Sequence, residues 1–220
     1  MATRMQQPTY VLSTNSSRTR GRAAQDSNVR AGRAVANAVR TTLGPRGMDK
    51  MLVDAAGEVV ITNDGATILR EMDIEHPAAR MLVEVSETQE DAVGDGTTTA
   101  AVLSGELLAR AEDLLDDDIH PSVVVEGYHE AARIATDAVD EARLDADLDD
   151  DLLARVAESS MTGKGTGDVT AAALADLVVA AVRRVETDDG VDRDDVHLHP
   201  RAGAASSASE LVEGLLLDEE

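Results

Sequence analysis

The sequence predicts a mainly α-helical protein with small β elements, and three features favour this fold class. Apolar residues recur at three- and four-residue spacing along much of the chain, which is the period of an amphipathic helix. Short turns containing Gly, Pro, Asn and Asp separate these stretches. The 220 residues include no Phe, Trp or Cys, so Ala, Val, Leu, Ile and Met must fill the interior, as suits closely packed helices.

The first 145 residues carry five predicted helices and one predicted hairpin. The helices are expected at 24–43, from Asn63-Asp64-Gly65 through Leu69, from Pro77 onward, from Thr97 to about Leu115, and from His120-Pro121-Ser122 to Ala142. Gly44-Pro45 is expected to end the first helix. Two strand-like runs, 51–54 and 58–62, flank a turn and predict a hairpin. A short strand is predicted at 10–12.

The same periodicity predicts which helix faces are buried. The inward positions are expected to be Met81, Leu82 and Val85 in the third helix; Ala100, Leu103, Leu107, Ala111 and Leu114 in the fourth; and Val124, Tyr128, Ala131, Ala135, Ala138 and Ala142 in the fifth. After about residue 145 the composition shifts. Two further helices are predicted at 148–161 and 168–185 around a Gly-rich loop, followed by short strands at 196–199 and 211–217.

The charge balance restricts the class of protein. The chain has 43 acidic and 20 basic residues, a net charge of −23, and only two lysines, Lys50 and Lys164. This composition is typical of proteins of salt-loving archaea, where the Debye length falls to about 3 Å at 1 M salt and self-repulsion is tolerated. Nucleic acid is disfavoured as a partner because its phosphates would be repelled. The chain shows no apolar signal region and no membrane-length apolar run, so a cytoplasmic protein without a membrane partner is expected.

The most informative segment is residues 94–99, which read Gly-Asp-Gly-Thr-Thr-Thr before a helical run. Gly94 and Gly96 allow a tight turn close to a ligand. Asp95 offers a carboxylate to a hard cation such as Mg²⁺. Thr97, Thr98 and Thr99 fall at a helix N-terminus, where unpaired N–H groups favour phosphate. This order indicates a nucleoside triphosphate site, and the alternative is an ordinary helix start with Thr caps.

Three other short segments suggest the same chemistry. Leu43-Gly44-Pro45 forms a tight turn that could press backbone against a ligand, or simply end a helix. Asp64 places a carboxylate at a helix start, where it could equally be an N-cap. Lys164 puts a compact ammonium in the Gly-rich loop, where it could sense a terminal phosphate. The spacing of the Walker P-loop is absent.

Together these motifs closely resemble group II chaperonins, the class that includes the archaeal thermosome. The matching stretches are 41–51 (TTLGPRGMDKM), 63–69 (NDGATIL), 94–108 (GDGTTTAAVLSGELL) and 159–164 (SSMTGK). The resemblance spans about residues 8–187 and corresponds to the N-terminal portion of a subunit. It implies an ATP-driven double ring that folds other proteins, with ATP and Mg²⁺ as cofactors and other chaperonin subunits and unfolded proteins as partners.

The resemblance also implies roles for individual residues and three domain segments. Leu43, Gly44 and Pro45 would line the nucleotide, Asp95 would hold Mg²⁺, and Gly94 and Gly96 to Thr99 would surround the phosphates. Asp64 would be the catalytic residue that positions the attacking water, and Lys164 would report the γ-phosphate. Residues 1–145 would form the N-terminal half of the equatorial domain, 146–205 that of the intermediate domain, and 206–220 the start of the apical domain.

By this resemblance, the sequence reaches only the start of the family's apical domain, and the rest of that domain and the returning halves of the other two are expected to be absent from it. A fragment, a truncated gene product or one part of a split subunit would each have this sequence. The implied function is that of an ATP-dependent protein-folding subunit, whose ATPase activity is left open because a second catalytic aspartate is missing. The alternative is a truncated, non-hydrolysing nucleotide-binding or ring-association module without client-folding activity. Further alternatives are an inert, poorly folded remnant and a phosphotransferase.

Overall fold

The computed structural model describes residues 18–162, 164, 169–188 and 190–214. Within these residues the chain forms helices α1 (Arg22–Val39), α2 (Gly65–Glu71), α3 (Pro77–Val93), α4 (Thr97–Asp116), α5 (Pro121–Ala142), α6 (Asp150–Met161) and α7 (Ala171–Val185). Strands β1 (Lys50–Val53) and β2 (Val59–Thr62) form an antiparallel hairpin. The predicted fold class, mainly helical with small β elements, is confirmed.

The core lies where α1, α2, α3 and α4 meet. Its buried members are Val35, Val39, Ile68, Leu69, Ala79, Leu82 and Ala101. Each of these residues belongs to an apolar stripe that repeats at helical spacing along its own helix. Packing the four stripes against one another removes them from water and forms a single core. Helices α6 and α7 pack on each other and form a separate pair.

The antiparallel contact between α1 and α4 is unusually close. A Cβ placed on Gly105 of α4 would lie 2.2 Å from the Cβ of Ala36, and a Cβ on Gly32 of α1 would lie 2.5 Å from Leu108 Cδ1. Both distances are far below van der Waals contact. The tip of the flexible Leu108 side chain could move away from a Cβ at position 32, but the Cβ of Ala36 is fixed to its backbone, so the close approach of the two helices requires glycine at position 105.

Ion pairs flank this contact along its length. Arg33 Nη1 lies 3.1 Å from Glu112 Oε2, and two further α1–α4 pairs join Arg22 to Asp116 and Arg40 to Glu106. None of these side chains is buried, so each pair contributes at most about 1 kcal/mol. Packing of the small residues therefore holds α1 against α4, and the ion pairs supplement it.

Several boundaries predicted from the sequence are confirmed. The helix expected at 24–43 is α1 followed by a 3₁₀ turn, Arg40–Thr42, and the chain is extended at Leu43. The hairpin pairs Met51 with Ile61 and Val53 with Val59. Helices α6 and α7 occupy the two helical segments predicted after residue 145.

The predicted inward faces of α3 and α4 are partly wrong. Leu82 is buried, but Met81 is 64% exposed and Val85 is 42% exposed. On α4 the large residues Leu103, Leu107 and Leu114 are exposed, and the partly buried Ala100 and Ala111 are not in the core. The buried face of α4 instead carries Thr97, Thr98, Ala101 and Gly105, because the close approach of α1 admits only small side chains there.

The prediction for α5 is also wrong beyond its first two turns. Val124 is buried and the Tyr128 hydroxyl donates to the Leu107 carbonyl at 2.6 Å. The expected core positions Ala131, Ala135, Ala138 and Ala142 are exposed, because no other element of the described chain packs on that part of the helix.

The predicted terminal strands are wrong where the structure describes them. Residues 196–199 form no strand, and neither do 211–214. Shortly before residues 196–199, Thr187 and Gly190 form an isolated antiparallel β-bridge. The expected strand at 10–12 and the remainder of 211–217 lie outside the described residues. Among the helices described, none has the length and apolar character needed to span a membrane.

Replacing Gly105 by Ala is expected to destabilise the fold by about 1–3 kcal/mol, because the added Cβ would collide with Ala36 across the α1–α4 contact. Gly127→Ala in α5 is the matched control, since a Cβ there meets nothing within 4 Å. Ala favours a helix interior over Gly, so this variant is expected to be more stable by up to about 1 kcal/mol. Urea unfolding followed by circular dichroism in molar KCl measures both. A shift of the same sign in the two variants would contradict the close-packing interpretation.

Candidate functional site

Four separate segments of the chain meet around one cavity of about 290 Å³. They are the turn after α1, the start of α2, the start of α4 and the end of α6. The lining residues are Thr42, Leu43, Gly44, Pro45, Asn63, Asp64, Asp95, Gly96, Thr97, Thr98, Thr99, Ser159, Ser160, Thr162 and Lys164. Ten of the eleven site residues predicted from the sequence are in this set. Gly94 immediately precedes the lining residues and is not one of them.

The turn between α3 and α4 is set by two glycines with left-handed backbone. Gly94 has φ 75° and caps α3, donating its N–H to the Glu90 carbonyl at 2.7 Å, and Gly96 has φ 79°. Residues with side chains adopt this region only at a cost, so glycine suits both positions. Gln89 Nε2 donates to the Asp95 carbonyl at 2.9 Å and holds the turn in place.

The turn after α1 forms another part of the cavity wall. Leu43 leaves the 3₁₀ turn in an extended conformation and Gly44 follows with φ 84°. The Gly47 N–H donates to the Gly44 carbonyl at 2.9 Å, and Met48 N–H donates to the Thr41 carbonyl at 2.9 Å. These bonds close a compact loop, with Pro45 facing the cavity at its tip.

Asp64 is held by hydrogen bonds to both carboxylate oxygens. It caps α2, accepting the Thr67 N–H at Oδ2 (2.8 Å), and it accepts the Thr97 hydroxyl at Oδ1 (3.2 Å). Burial alone would raise the pKa of this carboxyl. The bonds from Thr67 and Thr97 and the charge of Lys164 outweigh burial and lower the pKa below its usual 3.8. Ionised Asp64 therefore stabilises the fold above about pH 4, and this stabilisation is lost as the pH falls through the lowered pKa.

Lys164 links the α6–α7 pair to the loop before α4. Its backbone N–H donates to the Met161 carbonyl at 3.0 Å, extending the end of α6, and its Nζ lies 3.3 Å from Asp95 Oδ1. Both side chains are about half exposed. The ammonium therefore faces a carboxylate at the cavity wall, and this carboxylate already attracts a cation.

The start of α2 is pressed against the start of α4. A Cβ on Gly65 would lie 2.5 Å from Thr98 Oγ1 and 2.8 Å from the Thr98 nitrogen. On the other side, the hydroxyls of Thr98 and Thr42 lie 3.3 Å apart. Thr98 is thus in contact with the end of α1 and the start of α2, and it fixes the relative position of three cavity walls.

Five further residues line the cavity although the sequence motifs did not predict them as site residues. They are Thr42, Asn63, Ser159, Ser160 and Thr162. Asn63 and Thr42 flank motifs that were identified, so their proximity could have been inferred. Ser159, Ser160 and Thr162 lie at the end of α6, within the stretch 159–164 (SSMTGK) that resembles the chaperonins, but none of the three carries a phosphate or metal signal of its own. Only the folding of α6 back toward α4 brings them to the site.

Comparison with known proteins places these observations in a family. Residues 35–220 match the family model described as the TCP-1/cpn60 chaperonin family. Thermosome subunit 3 of Haloferax volcanii is 74% identical over 222 residues, covering 100% of this chain and 42% of the relative. Thermosome subunit alpha of Halobacterium salinarum is 55% identical, covering 97% of this chain and 38% of the relative.

A third relative, thermosome subunit beta of Methanothermobacter thermautotrophicus, is 54% identical and covers 98% of this chain and 40% of its own length. The chain thus spans about two fifths of the length of the curated relatives it matches. Because the family model covers most of the chain and includes every residue that lines the cavity, the chain belongs to the TCP-1/cpn60 chaperonin family.

Proposed function

We propose that the cavity binds Mg²⁺–ATP and that the chain serves in an ATP-dependent protein-folding chaperone of the thermosome type. The observation that carries this proposal is the convergence of ten predicted nucleotide-site residues, from four distant segments, on one cavity. Membership of the chaperonin family also supports it, because the thermosome relatives are similar across essentially the whole of this chain.

The start of α4 is suited to the phosphates. Ala100 N–H makes the first intrahelical bond of α4, to the Gly96 carbonyl at 2.9 Å, so the N–H groups of Thr97, Thr98 and Thr99 lie in the first turn, where helices bind anions. Leu43, Gly44 and Pro45 would form the wall against which the rest of the nucleotide lies. Backbone dipoles also offset the overall charge of −23, which would otherwise oppose an anionic ligand.

The donor set fits Mg²⁺. Asp95 presents a half-exposed carboxylate at the cavity, next to the helix start proposed to bind phosphate, and it already attracts the Lys164 ammonium. Mg²⁺ prefers oxygen ligands and is commonly bound through one or two carboxylates together with substrate phosphates. When bound, Mg²⁺ would neutralise charge on the phosphates. Asp95 would hold it there, and Lys164 would be freed to approach the terminal phosphate.

Asp64 is the proposed catalytic residue. Its lowered pKa keeps it ionised at neutral pH, and the hydrogen bonds to both carboxylate oxygens fix its orientation at the cavity wall. A fixed, ionised carboxylate can orient a water molecule by accepting a hydrogen bond from it, which is the role proposed here.

The domain arrangement proposed is an equatorial part at 1–145, an intermediate part at 146–205 and the start of an apical part at 206–220. The proposed partners are other chaperonin subunits and unfolded proteins, in the cytoplasm.

The β1–β2 hairpin has an exposed apolar face formed by Met51, Val53, Val59 and Ile61. Monomers rarely leave such a patch exposed, so this face supports association with another chain.

Asp95→Asn is expected to remove the Mg²⁺ dependence of ATP binding, because the amide loses the charge that attracts the cation. Calorimetry would show ATP affinity falling about tenfold or more in Mg²⁺ and changing little in EDTA, where the released Lys164 still attracts phosphate. Asp91→Asn, at an exposed position on α3, makes the same charge change outside the cavity and is the control. An Asp95→Asn chain whose affinity still rises on adding Mg²⁺ would reject this role for Asp95.

Lys164→Gln is expected to weaken binding of ATP more than binding of ADP, because the ammonium is proposed to contact the terminal phosphate. A loss of about threefold to tenfold for ATP, with a smaller loss for ADP, is consistent with a partly exposed charge. Lys50→Gln in β1 removes the other lysine of the chain and is the control. Equal losses for the two nucleotides would rule out a terminal-phosphate contact.

A further inference from the structure

The three consecutive hydroxyls at the start of α4 have different surroundings, although the sequence presents them as equivalent. Thr97 and Thr98 are buried, with exposed fractions of 4% and 9%, whereas Thr99 is exposed. Phosphate oxygens accept hydrogen bonds, so a hydroxyl can bind phosphate only if its single hydrogen is available. The assignment of each hydrogen therefore decides which threonine can contribute a side-chain donor.

The Thr97 hydrogen is committed to Asp64. Thr97 Oγ1 donates to Asp64 Oδ1 at 3.2 Å, and an ionised carboxylate can only accept. The Thr97 carbonyl in turn accepts the hydroxyl of Ser86, which is fully buried, at 3.3 Å. Thr97 is thus held from α3 on one side and holds Asp64 on the other.

The Thr98 hydrogen is committed to the end of α1. Thr42 Oγ1 donates its only hydrogen to the Val39 carbonyl at 2.8 Å. In the contact between Thr42 and Thr98, 3.3 Å long, Thr98 must then be the donor. The backbone of Gly65 packs directly against Thr98, so closely that a Cβ on residue 65 would collide with the Thr98 hydroxyl.

Thr99 differs from both. It lines the cavity, is exposed, and its hydroxyl has no hydrogen-bond partner among the residues that the structure describes. Its hydrogen is available to an acceptor that enters the cavity, at the end of the helix where anions are favoured.

We propose that the three threonines have different roles at the nucleotide site: Thr99 supplies the hydroxyl that binds phosphate, Thr97 positions Asp64, and Thr98 joins α4 to the end of α1. This inference rests on the nucleotide site proposed above and makes it more specific. Thr97 is a positioning residue in this scheme, since it acts on the reaction through Asp64. Backbone N–H groups of all three residues remain compatible with phosphate binding.

The first test compares Thr97→Val, Thr98→Val and Thr99→Val, each of which removes a hydroxyl at nearly constant volume. Thr99→Val is expected to weaken Mg²⁺–ATP binding about tenfold or more, as for a lost hydrogen bond to a charged group, and clearly more than the other two variants. Thr136→Val on the exposed part of α5 is the control for loss of a threonine hydroxyl. A Thr99→Val chain with wild-type affinity, beside a tenfold loss in Thr97→Val, would overturn the proposal.

The second test reads Asp64 directly and needs no nucleotide. Carbon-13 NMR titration of the Asp64 carboxyl is expected to give a higher pKa in Thr97→Val, because a hydrogen bond to the ionised form is lost, and a restored value in Thr97→Ser. Thr98→Val is expected to leave that pKa in place and to lower the thermal midpoint. An Asp64 pKa that does not move in Thr97→Val would refute the positioning role.

The two tests separate the failure of this inference from the failure of the proposed function. A wild-type chain that binds no ATP would count against the nucleotide site itself. The assignment of Thr97 and Thr98 would then still be decided by the Asp64 titration and the thermal midpoints, because both depend on hydrogen bonds within the protein. A Thr97→Val variant that loses stability without moving the Asp64 pKa would assign Thr97 a structural role only.

Discussion

The close antiparallel contact between α1 and α4 determines the geometry of the cavity. Gly105 has no Cβ, and the Cβ of Ala36 occupies the space where one would lie. The two helices therefore pack side by side at a separation that any other residue at position 105 would prevent, and they have little freedom to shift. Their antiparallel arrangement sets the end of α1 beside the start of α4, where Thr42 meets Thr98. The turn that follows α1 and the turn that precedes α4 are therefore brought to the same place, and both line the cavity.

Hydrogen bonds, rather than surface charges, hold the polar part of the site. None of the side chains in the ion pairs across α1 and α4 is buried, and at molar salt the Debye length is only about 3 Å, so these pairs are strongly screened. Screening acts much less on the short bonds from Thr67 and Thr97 to Asp64, which do not depend on long-range charge. A chain with a charge of −23 can thus keep the proposed nucleotide site ordered under conditions in which its surface electrostatics are weak.

Much of the fold could be predicted because local chemistry specified it. Asp64 caps α2 as its position before Gly65 suggested, Pro77 begins α3, and the hairpin forms between the two strand-like runs. The rotation of each helix could not be predicted in the same way. Periodicity selects the stripe with the largest apolar residues, such as Leu103 on α4, whereas the face that meets α1 is lined by Ala101 and Gly105.

The candidate site follows the same division. The residues of the glycine- and threonine-rich motifs were identifiable because their chemistry is unusual within a helical protein. Ser159, Ser160 and Thr162 were not, because serine and threonine at the end of a helix are common and their function depends on where α6 lies. Local sequence also made Thr97, Thr98 and Thr99 look alike, and only their neighbours on α1 and α2 distinguish them.

The contact between Lys164 and Asp95 gives the site a connection to the α6–α7 pair. Within the described part of the chain this pair packs mainly on itself, and the ion pair at 3.3 Å is one of the interactions that hold it near α4. A cation bound by Asp95 would compete with Lys164 for the same carboxylate, and a terminal phosphate would offer Lys164 a new partner. Occupation of the cavity and the position of α6 would then be linked through one side chain, with no change required in the core formed by α1 to α4.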